Sequence, residues 1–220
     1  MPTVAFDVIG TMFSLDAPRK ALMSAGAPED GLDLWFAESL RDAIALSHAG
    51  GYRPFREVLE AGLHRYASRL PSPPGRDALD GVMEAFGTLD PVAGVEEATA
   101  RFVDAGWRLV TLTNGSEDST RELLRRAGLE DRFTKVLSCD AVRRTKPHPE
   151  VYRLAQQGTD GETWLVAAHG WDVAGAARAG LRTAWVSAVE GAYLSAYPEP
   201  DVRAPDLVTA AASVLERAGF

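Results

Sequence analysis

Four polar residues follow or adjoin short apolar runs, and their side chains could act together on a small molecule. Asp7 ends the segment TVAFD, Thr113 ends VTLT, Lys146 stands in RRTKPHP, and Asp172 closes LVAAHGWD. Open α/β sheets collect their functional side chains at the carboxyl ends of the strands. The order of the four segments therefore predicts a single site at one edge of a sheet.

Asp7 is the candidate nucleophile. A carboxylate at the tip of a buried strand is unfavourable unless it is paired or used, and it can displace a good leaving group. The turn that follows, VIGT, would surround it with backbone N–H groups. The alternative is a strand-end aspartate that caps its own turn, but the three downstream segments favour a chemical role.

Thr113 and Asn114 end the second strand of the predicted sheet, and Ser116 could cap the helix that follows. A hydroxyl, an amide and helix N-terminal N–H groups together form a corner that binds anions. We expect this corner to hold a substrate carboxylate or a developing oxyanion. A plain helix cap with a turn is the alternative.

Lys146 precedes Pro147, which fixes the direction of the backbone. A fixed ammonium beside Asp7 would keep that carboxylate ionised and stabilise charge in the transition state. Asp172 could orient the lysine, position the hydrolytic water or act as a base, or it could only cap the helix that begins there. His169 is a candidate base or substrate contact, with a structural role as the alternative.

These side chains need a scaffold of parallel strands. Strands that alternate with helices imply right-handed crossovers and a doubly wound, Rossmann-like α/β sheet. From about residue 16 to residue 90 the strand pattern is absent, and three helical patterns replace it at 32–46, 55–66 and 77–86. We therefore expect an α/β core of residues 1–15 and 91–220, with an all-helical cap domain of residues 16–90 inserted after the first strand.

The core pattern predicts five strands and five helices. The strands are expected at 3–9, 107–113, 133–138, 163–168 and 183–187. The helices are expected at 95–105, 116–126, 149–157, 173–179 and 206–218. Gly128 and Gly180 mark the ends of two of these helices.

Composition restricts the class of function. The chain has 220 residues and a formal charge of -8, which makes nucleic acid or an anionic membrane surface a poor partner. The single Cys139 rules out an intrachain disulfide. No apolar run approaches the ~20 residues of a membrane span, and no signal-like segment begins the chain. We expect a cytoplasmic protein whose partner is a small-molecule substrate.

The segments FDVIGT, LTNGS, KPHPEVY and HGWDVAGAARAGLRTAWV, in this order, resemble the haloacid dehalogenase (HAD) superfamily. The similarity covers nearly the whole core, and the helical insert matches the cap placement of the C1 group. The resemblance implies that Asp7 is the nucleophile and Thr113 the hydroxyl of the second motif. It likewise implies that Lys146 is the lysine of the third motif and Asp172 a carboxylate of the fourth.

Two positions separate the branches of this superfamily. Its phosphatases usually carry a second aspartate, a general acid, two residues after the nucleophile, where this chain has Ile9. They also tend to have a magnesium ligand four residues before Asp172, where this chain has Ala168. A missing general acid typically costs about 10²–10⁴-fold in rate, but a halide leaves without a proton. The chain thus looks like the 2-haloacid dehalogenase branch, which implies an aspartyl-ester intermediate and no metal or cofactor.

TNGS, Tyr152 and the WDVAGA stretch also resemble that branch, whereas other positions depart from it. The branch usually has Tyr at the place of Ile9, and an Arg after a Leu-Trp pair, where this chain has Phe36. It has Ser and Asn at the places of Ala167 and His169. These changes concern halide binding and water activation.

The cap is expected to supply an apolar lid over the nucleophile. Trp35, Phe36 and Tyr52 are the predicted lining residues, and Arg41 is a candidate clamp for an anion. Two other interpretations stay open: a phosphatase of small metabolites in which Asp7 and Asp172 hold Mg²⁺, and a non-catalytic binding protein on the same scaffold. Dimers occur in the branch that the chain resembles, so a homodimer is a further expectation.

Overall fold

A single six-stranded parallel sheet forms the centre of the protein. The computed structural model describes residues 1–220, and its strands lie in the order β3-β2-β1-β4-β5-β6. Their bounds are β1 Thr3–Phe6, β2 Arg108–Thr113, β3 Lys135–Ser138, β4 Thr163–Ala167, β5 Arg182–Val186 and β6 Val202–Ala204. The chain builds outward from β1 to β3 and then returns to the other side of β1 at β4. Ligands of such sheets bind where the strand order reverses, at the carboxyl ends.

Helices cover both faces of the sheet, which explains why its central strands are almost entirely buried. Successive residues of β1 point to opposite faces, so that Val4 and Phe6 join one buried cluster and Ala5 joins the other. The first cluster packs against α5, α6 and α9, and the second against α7 and α8. The bounds of these helices are α5 Val95–Asp104, α6 Glu117–Arg126, α7 Pro149–Gln156, α8 Gly170–Arg178 and α9 Leu207–Arg217.

Four further helices form the cap above the carboxyl edge of the sheet. Their bounds are α1 Asp16–Ser24, α2 Gly31–His48, α3 Phe55–Ala67 and α4 Arg76–Glu84. They enclose a separate hydrophobic cluster of 15 buried residues. The chain leaves and re-enters the core side by side, because Ser14 N donates to Asp90 O at 2.8 Å and Val92 N donates to Met12 O at 2.9 Å. No helix is both long and apolar enough to cross a membrane.

The predicted doubly wound α/β core with an all-helical cap is confirmed. The patterns missed helix α1 and the edge strand β6, which has only three residues and therefore too short an alternation to detect. Helix α8 begins at Gly170 rather than at 173, so Asp172 lies in its first turn and the helix-cap interpretation of that residue is wrong. The boundaries of the two units at 15/16 and 90/91 stay predictions.

Candidate active site

Asp7 is the first residue beyond β1, next to the reversal of strand order. Its backbone N–H donates to Val166 O at 3.0 Å, and its side chain is nearly buried. Thr11 Oγ1 donates to Asp7 Oδ2 at 2.6 Å and accepts a hydrogen bond from Ala168 N at 2.9 Å. Thr11 thereby connects the turn after β1 to the end of β4, and its hydrogen bond fixes the orientation of Asp7 Oδ2.

Lys146 lies between two carboxylates. Its Nζ is 2.8 Å from Asp7 Oδ1 and 2.6 Å from Asp172 Oδ2, and the lysine has no exposed surface. The Tyr152 hydroxyl donates to Asp172 Oδ1 at 2.7 Å. A Cβ at Gly175 would lie 2.4 Å from that hydroxyl oxygen, so the absence of a side chain there lets Tyr152 approach. Both oxygens of Asp172 are therefore occupied, one by Lys146 and one by Tyr152.

The charges of this cluster favour an ionised Asp7. Burial raises the pKa of Asp7, but the nearby charges of Lys146 and His169 outweigh it and hold the pKa below its ordinary value. Burial lowers the pKa of Lys146, and its two carboxylate partners raise it further than burial lowers it. Burial raises the pKa of Asp172, and repulsion from Asp7 acts in the same direction. The negative charge is thus held preferentially on the carboxylate that faces the cleft.

The second motif holds the lysine loop in place. Asn114 Oδ1 accepts hydrogen bonds from Lys146 N at 3.0 Å and from Cys139 Sγ at 2.9 Å. Thr113 Oγ1 accepts from Gly115 N at 2.9 Å. Ser116 caps α6 by accepting from Ser119 N at 3.2 Å. The side-chain oxygen of Asn114 is thus occupied by two hydrogen bonds within the protein. The other polar groups of this corner can contact a ligand.

His169 lies across the turn from Asp7. Its Nε2 is 3.3 Å from Ile9 O, and its Nδ1 is 3.6 Å from Glu190 Oε1. A Cβ at Gly10 would lie 2.6 Å from Nε2, and Gly10 has a φ of 84°, so glycine is required at this position for two reasons. Burial lowers the pKa of His169, but Glu190 and Asp7 raise it above its ordinary value. The protonated imidazole is therefore favoured in the free site.

A small cleft of about 310 Å³ lies above Asp7, between core and cap. The core contributes Asp7, Ile9, Thr113, Asn114, Gly115, His169 and Trp171 to its lining, and the cap contributes Phe36, Leu40 and Phe55. The core side is polar and the cap side is entirely apolar.

Several residues predicted for the cleft lie elsewhere. Arg41 has a side chain that is 61% exposed and pairs with Asp42 at 2.9 Å, so the interpretation as an anion clamp is wrong. Trp35 is wholly buried inside the cap, where its Nε1 donates to Leu59 O at 3.0 Å, and it does not line the lid. Both residues belong to α2, whose rotation is set by the packing of the cap.

Three further residues predicted for the site do not reach the cleft either. Tyr152 is buried behind Asp172, so its predicted contact with the substrate is wrong, and Asp172 is too enclosed to position a water in the cleft. The Tyr52 hydroxyl donates to Asp140 instead of lining the lid. In each case the side chain serves to hold other groups in position.

The sequence patterns missed five residues of the site. A hydroxyl four residues after the nucleophile could have indicated Thr11, since such a spacing closes a turn. The aromatic Trp171 was interpreted as packing, and it lines the cleft. Leu40 and Phe55 carry no signal beyond helical spacing, and Glu190 belongs to a distant loop. Only the fold brings these last residues to the cleft.

The comparison with known protein families matches residues 1–180 to the haloacid dehalogenase-like hydrolases. The chain belongs to this family. It is 28% identical over 209 residues to a haloacetate dehalogenase of Moraxella sp. (strain B), and the match covers 92% of each chain. It is 30% identical over 189 residues to an (S)-2-haloacid dehalogenase of Xanthobacter autotrophicus, which covers 84% of this chain and 74% of that relative.

Solved structures show the same similarity in three dimensions. The L-2-haloacid dehalogenase from Xanthobacter autotrophicus superposes with a TM-score of 0.87 at 26% identity, and the match covers 99% of both chains. A second structure of that enzyme carries covalently bound chloropropionic acid and superposes with a TM-score of 0.86 at 26% identity, again over 99% of both chains. The shared architecture therefore includes the cap as well as the core.

The residues of the site do not fit a magnesium ion. Nowhere in the chain do three His, Cys, Asp or Glu side chains form a group that could hold a metal. Both oxygens of Asp172 are occupied, and Ala168 offers no ligating side chain. Mg²⁺ prefers carboxylate and water oxygens in near-ideal octahedral geometry. In this cluster the Lys146 ammonium, 2.8 Å from Asp7, already supplies the positive charge that balances the carboxylate.

Proposed function

We propose that this protein is a 2-haloacid dehalogenase that displaces halide from a small organic acid through an ester of Asp7. The observation that carries this proposal is an ionised carboxylate at a cleft, held by Lys146 and Thr11, with the apolar Ile9 where a proton donor would otherwise stand. The similarity to haloacid dehalogenases over most of the chain supports the same chemistry.

In the first step an Asp7 oxygen attacks the carbon that bears the halogen. The new C–O bond forms as the C–X bond breaks, and the halide leaves with the bonding electrons. Lys146 and Thr11 hold the carboxylate in one orientation, so that the reactants meet in a productive geometry. Because halide is a stable anion, the step needs no general acid, in agreement with Ile9.

In the second step water attacks the carboxyl carbon of the Asp7 ester. The tetrahedral intermediate carries negative charge on oxygen, and the Lys146 ammonium and the Thr11 hydroxyl are placed to stabilise it. Its collapse breaks the ester C–O bond and regenerates the Asp7 carboxylate. One of the two water protons passes to the departing alkoxide oxygen, which becomes the hydroxyl of the 2-hydroxy acid, and the other is released to solvent. Esterification removes the charge of Asp7 from beside His169, so the imidazole then releases its proton more readily. His169 is the cleft residue suited to accept a proton from the attacking water.

The substrate carboxylate is assigned to the corner made by the second motif. Thr113, Asn114 and Gly115 line the cleft beside Asp7, and the N-terminus of α6 follows at Ser116. Helix N-termini favour anions. His169 also lines the cleft. The cap contributes no cation, because Arg41 faces solvent.

Single-turnover hydrolysis in H₂¹⁸O tests the covalent route. With enzyme in excess over 2-bromopropionate, the 2-hydroxy acid should carry unlabelled oxygen, and the peptide that contains Asp7 should gain ¹⁸O by mass spectrometry. Later turnovers should then release labelled product. Label in the product of the first turnover would mean that water attacks the carbon directly, and would overturn the proposal.

Two controls accompany this experiment. Asp7→Asn should show neither halide release nor label at residue 7. EDTA should leave bromide release unchanged, since we propose a metal-independent reaction. Strong magnesium-dependent turnover of an alkyl phosphate, with no halide release, would support a phosphatase instead.

We also propose that the enzyme works in the cytoplasm and forms a homodimer. Its one cysteine, Cys139, is buried, as expected for a protein that needs no disulfide. Sedimentation velocity of the purified protein measures the oligomeric state, and a monomer at micromolar concentration would contradict the dimer.

A further inference from the structure

A second and larger cavity adjoins the cleft above Asp7. It encloses about 610 Å³ between the cap and helix α6. Ile9, Phe55 and Gly115 line both spaces, so the two are adjacent at these residues. Its remaining lining residues are Arg56, Leu59, Met83, Phe86, Gly87, Ser116, Ser119, Thr120 and Leu123. Apart from Ser116, at the N-terminus of α6, none of these residues takes part in the chemistry proposed above.

The inner wall of this cavity is aromatic and aliphatic. Phe36 packs edge-on against Phe55 at 5.8 Å between ring centroids and stacks parallel to Phe86 at 6.5 Å. Leu59, Met83, Phe86 and Leu123 are buried. Phe36 lines the cleft itself, so its contacts with Phe55 and Phe86 connect the apolar wall of the cleft to the apolar wall of the cavity.

The outer rim of the cavity is polar and open. Ser116, Ser119 and Arg56 are exposed. Arg56 Nη1 donates weakly to Met83 O at 3.4 Å, so its charge is directed to the cap backbone at the rim. An occupant that enters from the cleft would therefore meet apolar groups first and polar groups only at its far end.

We infer that this cavity receives the alkyl chain of a 2-haloalkanoic acid, an assignment that rests on the proposed function. With the halogen-bearing carbon at Asp7 and the carboxylate at the second-motif corner, the remaining substituent must leave the cleft. The passage beside Ile9 and Phe55 is apolar and leads into the larger space. We expect the preferred substrates to carry an apolar side chain of about four to six carbons that extends from the cleft past Ile9 and Phe55.

The size of the effect follows from the burial of methylene groups. Each buried CH₂ favours binding by about fourfold when its transfer from water is complete. The ratio kcat/KM should therefore rise along the series 2-bromopropionate, 2-bromobutyrate and 2-bromohexanoate. It should fall again once the chain reaches the polar rim, which we expect at 2-bromodecanoate.

Ser119→Phe tests the route of the chain. Ser119 lies at the exposed rim, on the first turn of α6, so a ring can enter the cavity without disturbing the core. We expect a loss of at least tenfold in kcat/KM for 2-bromohexanoate and less than twofold for 2-bromopropionate. Asp118→Phe is the matched control, because Asp118 is exposed on the same turn and does not line the cavity. It should change neither value.

Bromide release over the series distinguishes a failure of the cavity assignment from a failure of the proposed function. If 2-bromopropionate is dehalogenated but 2-bromohexanoate is a poorer substrate, or if Ser119→Phe affects both equally, the assignment of the cavity is wrong while the proposed function stands. If no bromoalkanoate of any length is dehalogenated, the proposed function fails, and the assignment fails with it.

Inhibition by unreactive acids supplies a readout that does not depend on bond cleavage in the tested ligand. Hexanoate should inhibit 2-bromopropionate turnover more strongly than propionate does, by tenfold or more, and Ser119→Phe should remove most of that difference. Equal inhibition by the two acids in the unaltered enzyme would contradict the assignment.

Discussion

The two walls of the cleft differ in chemistry and in how closely they are held. The core wall carries Asp7 and the residues that fix its charge, and Lys146 and Asp172 are bound to each other and wholly buried behind it. The cap wall consists of Phe36, Leu40 and Phe55, with no charged group. The one cation predicted on that side faces solvent.

Because of this difference, we expect the core wall to govern the reaction and the cap wall to govern the choice of substrate. We expect the core wall to determine which bond is made and broken, because it carries Asp7 and the charged groups that surround it. The cap wall determines what shape of substrate is admitted, because an apolar surface discriminates by size and not by charge. Changes on the core wall should therefore lower kcat, whereas changes on the cap wall should mainly alter KM.

Asp7→Asn should have the largest effect. An amide is a far poorer nucleophile than a carboxylate, so kcat for halide release should fall by at least about 10⁴-fold. Steady-state halide release measures it, with circular dichroism to confirm the fold. Asp118→Asn, an exposed aspartate on α6, should retain activity within twofold. Retention of a tenth of the activity in Asp7→Asn would refute the assignment of the nucleophile.

Lys146→Met should lower both activity and stability. It leaves Asp7 and Asp172 as buried carboxylates with no cation between them, which typically costs about 3–5 kcal/mol. The loss of charge stabilisation should reduce kcat by about 10³-fold. Urea unfolding at pH 7 and at pH 4 measures the stability. The deficit should shrink at the lower pH, where the carboxylates can be protonated, and an equal deficit at both values would count against this explanation.

Tyr152→Phe should have an intermediate effect. The hydroxyl is the donor to Asp172 Oδ1, and its removal leaves a buried acceptor unsatisfied at a cost of about 1–3 kcal/mol. Because Asp172 orients Lys146, kcat should fall about tenfold while KM changes little. Tyr193→Phe, which removes a hydrogen bond to Pro198 O at 2.8 Å, is the matched control and should leave kcat unchanged. A change in KM alone would instead indicate that Tyr152 contacts the substrate.

Phe36→Leu tests the cap wall. The substitution removes the ring contacts with Phe55 and Phe86, which are worth about 0.5–1.5 kcal/mol per aromatic pair. We expect KM for 2-bromohexanoate to rise about fivefold, with kcat within twofold. Leu34→Ala, on the exposed side of the same helix, should change neither. A fall in kcat larger than the rise in KM would contradict the proposed division of roles between the core wall and the cap wall.

His169 should produce the smallest effect, visible as a pH dependence of stability. Its pKa is raised above the ordinary value of about 6.5 by Glu190 and Asp7, which outweigh burial. Its contribution to stability is then complete below about pH 6.5 and is lost as the pH rises through the folded-state pKa. The difference in Tm between the unaltered protein and His169→Gln should therefore be largest at pH 5.5 and smallest at pH 9.5. The opposite trend would mean that the folded state favours the neutral ring.

The strand-end residues were predictable because each lies directly after an apolar run. Asp7 and Thr113 follow β1 and β2, and parallel strands bring their carboxyl ends to one edge. The pairing of Lys146 with Asp7 also followed from charge, since a buried carboxylate requires a partner. These conclusions need only local pattern and the rule for parallel sheets.

The cap residues were predicted less well for a physical reason. Adjacent residues on a helix differ by about 100° in direction, so a small rotation decides which of them faces the cleft. Among Trp35, Phe36 and Arg41, only Phe36 does so. The rotation of α2 depends on the burial of Trp35 against α3, where its Nε1 donates to Leu59 O. This contact joins residues that are distant in the chain.

The amino-acid sequence by itself determined the class of fold, the insertion of helices after the first strand, and the pairing of Asp7 with Lys146. It did so because apolar periodicity and buried charge are local properties of a chain. Only the tertiary structure decided that Asp172 is enclosed between Lys146 and Tyr152, that Thr11 and Glu190 lie at the site, and that a second cavity adjoins the cleft. Those features depend on distances between segments far apart in the chain, and such distances arise only when the cap and the core pack together.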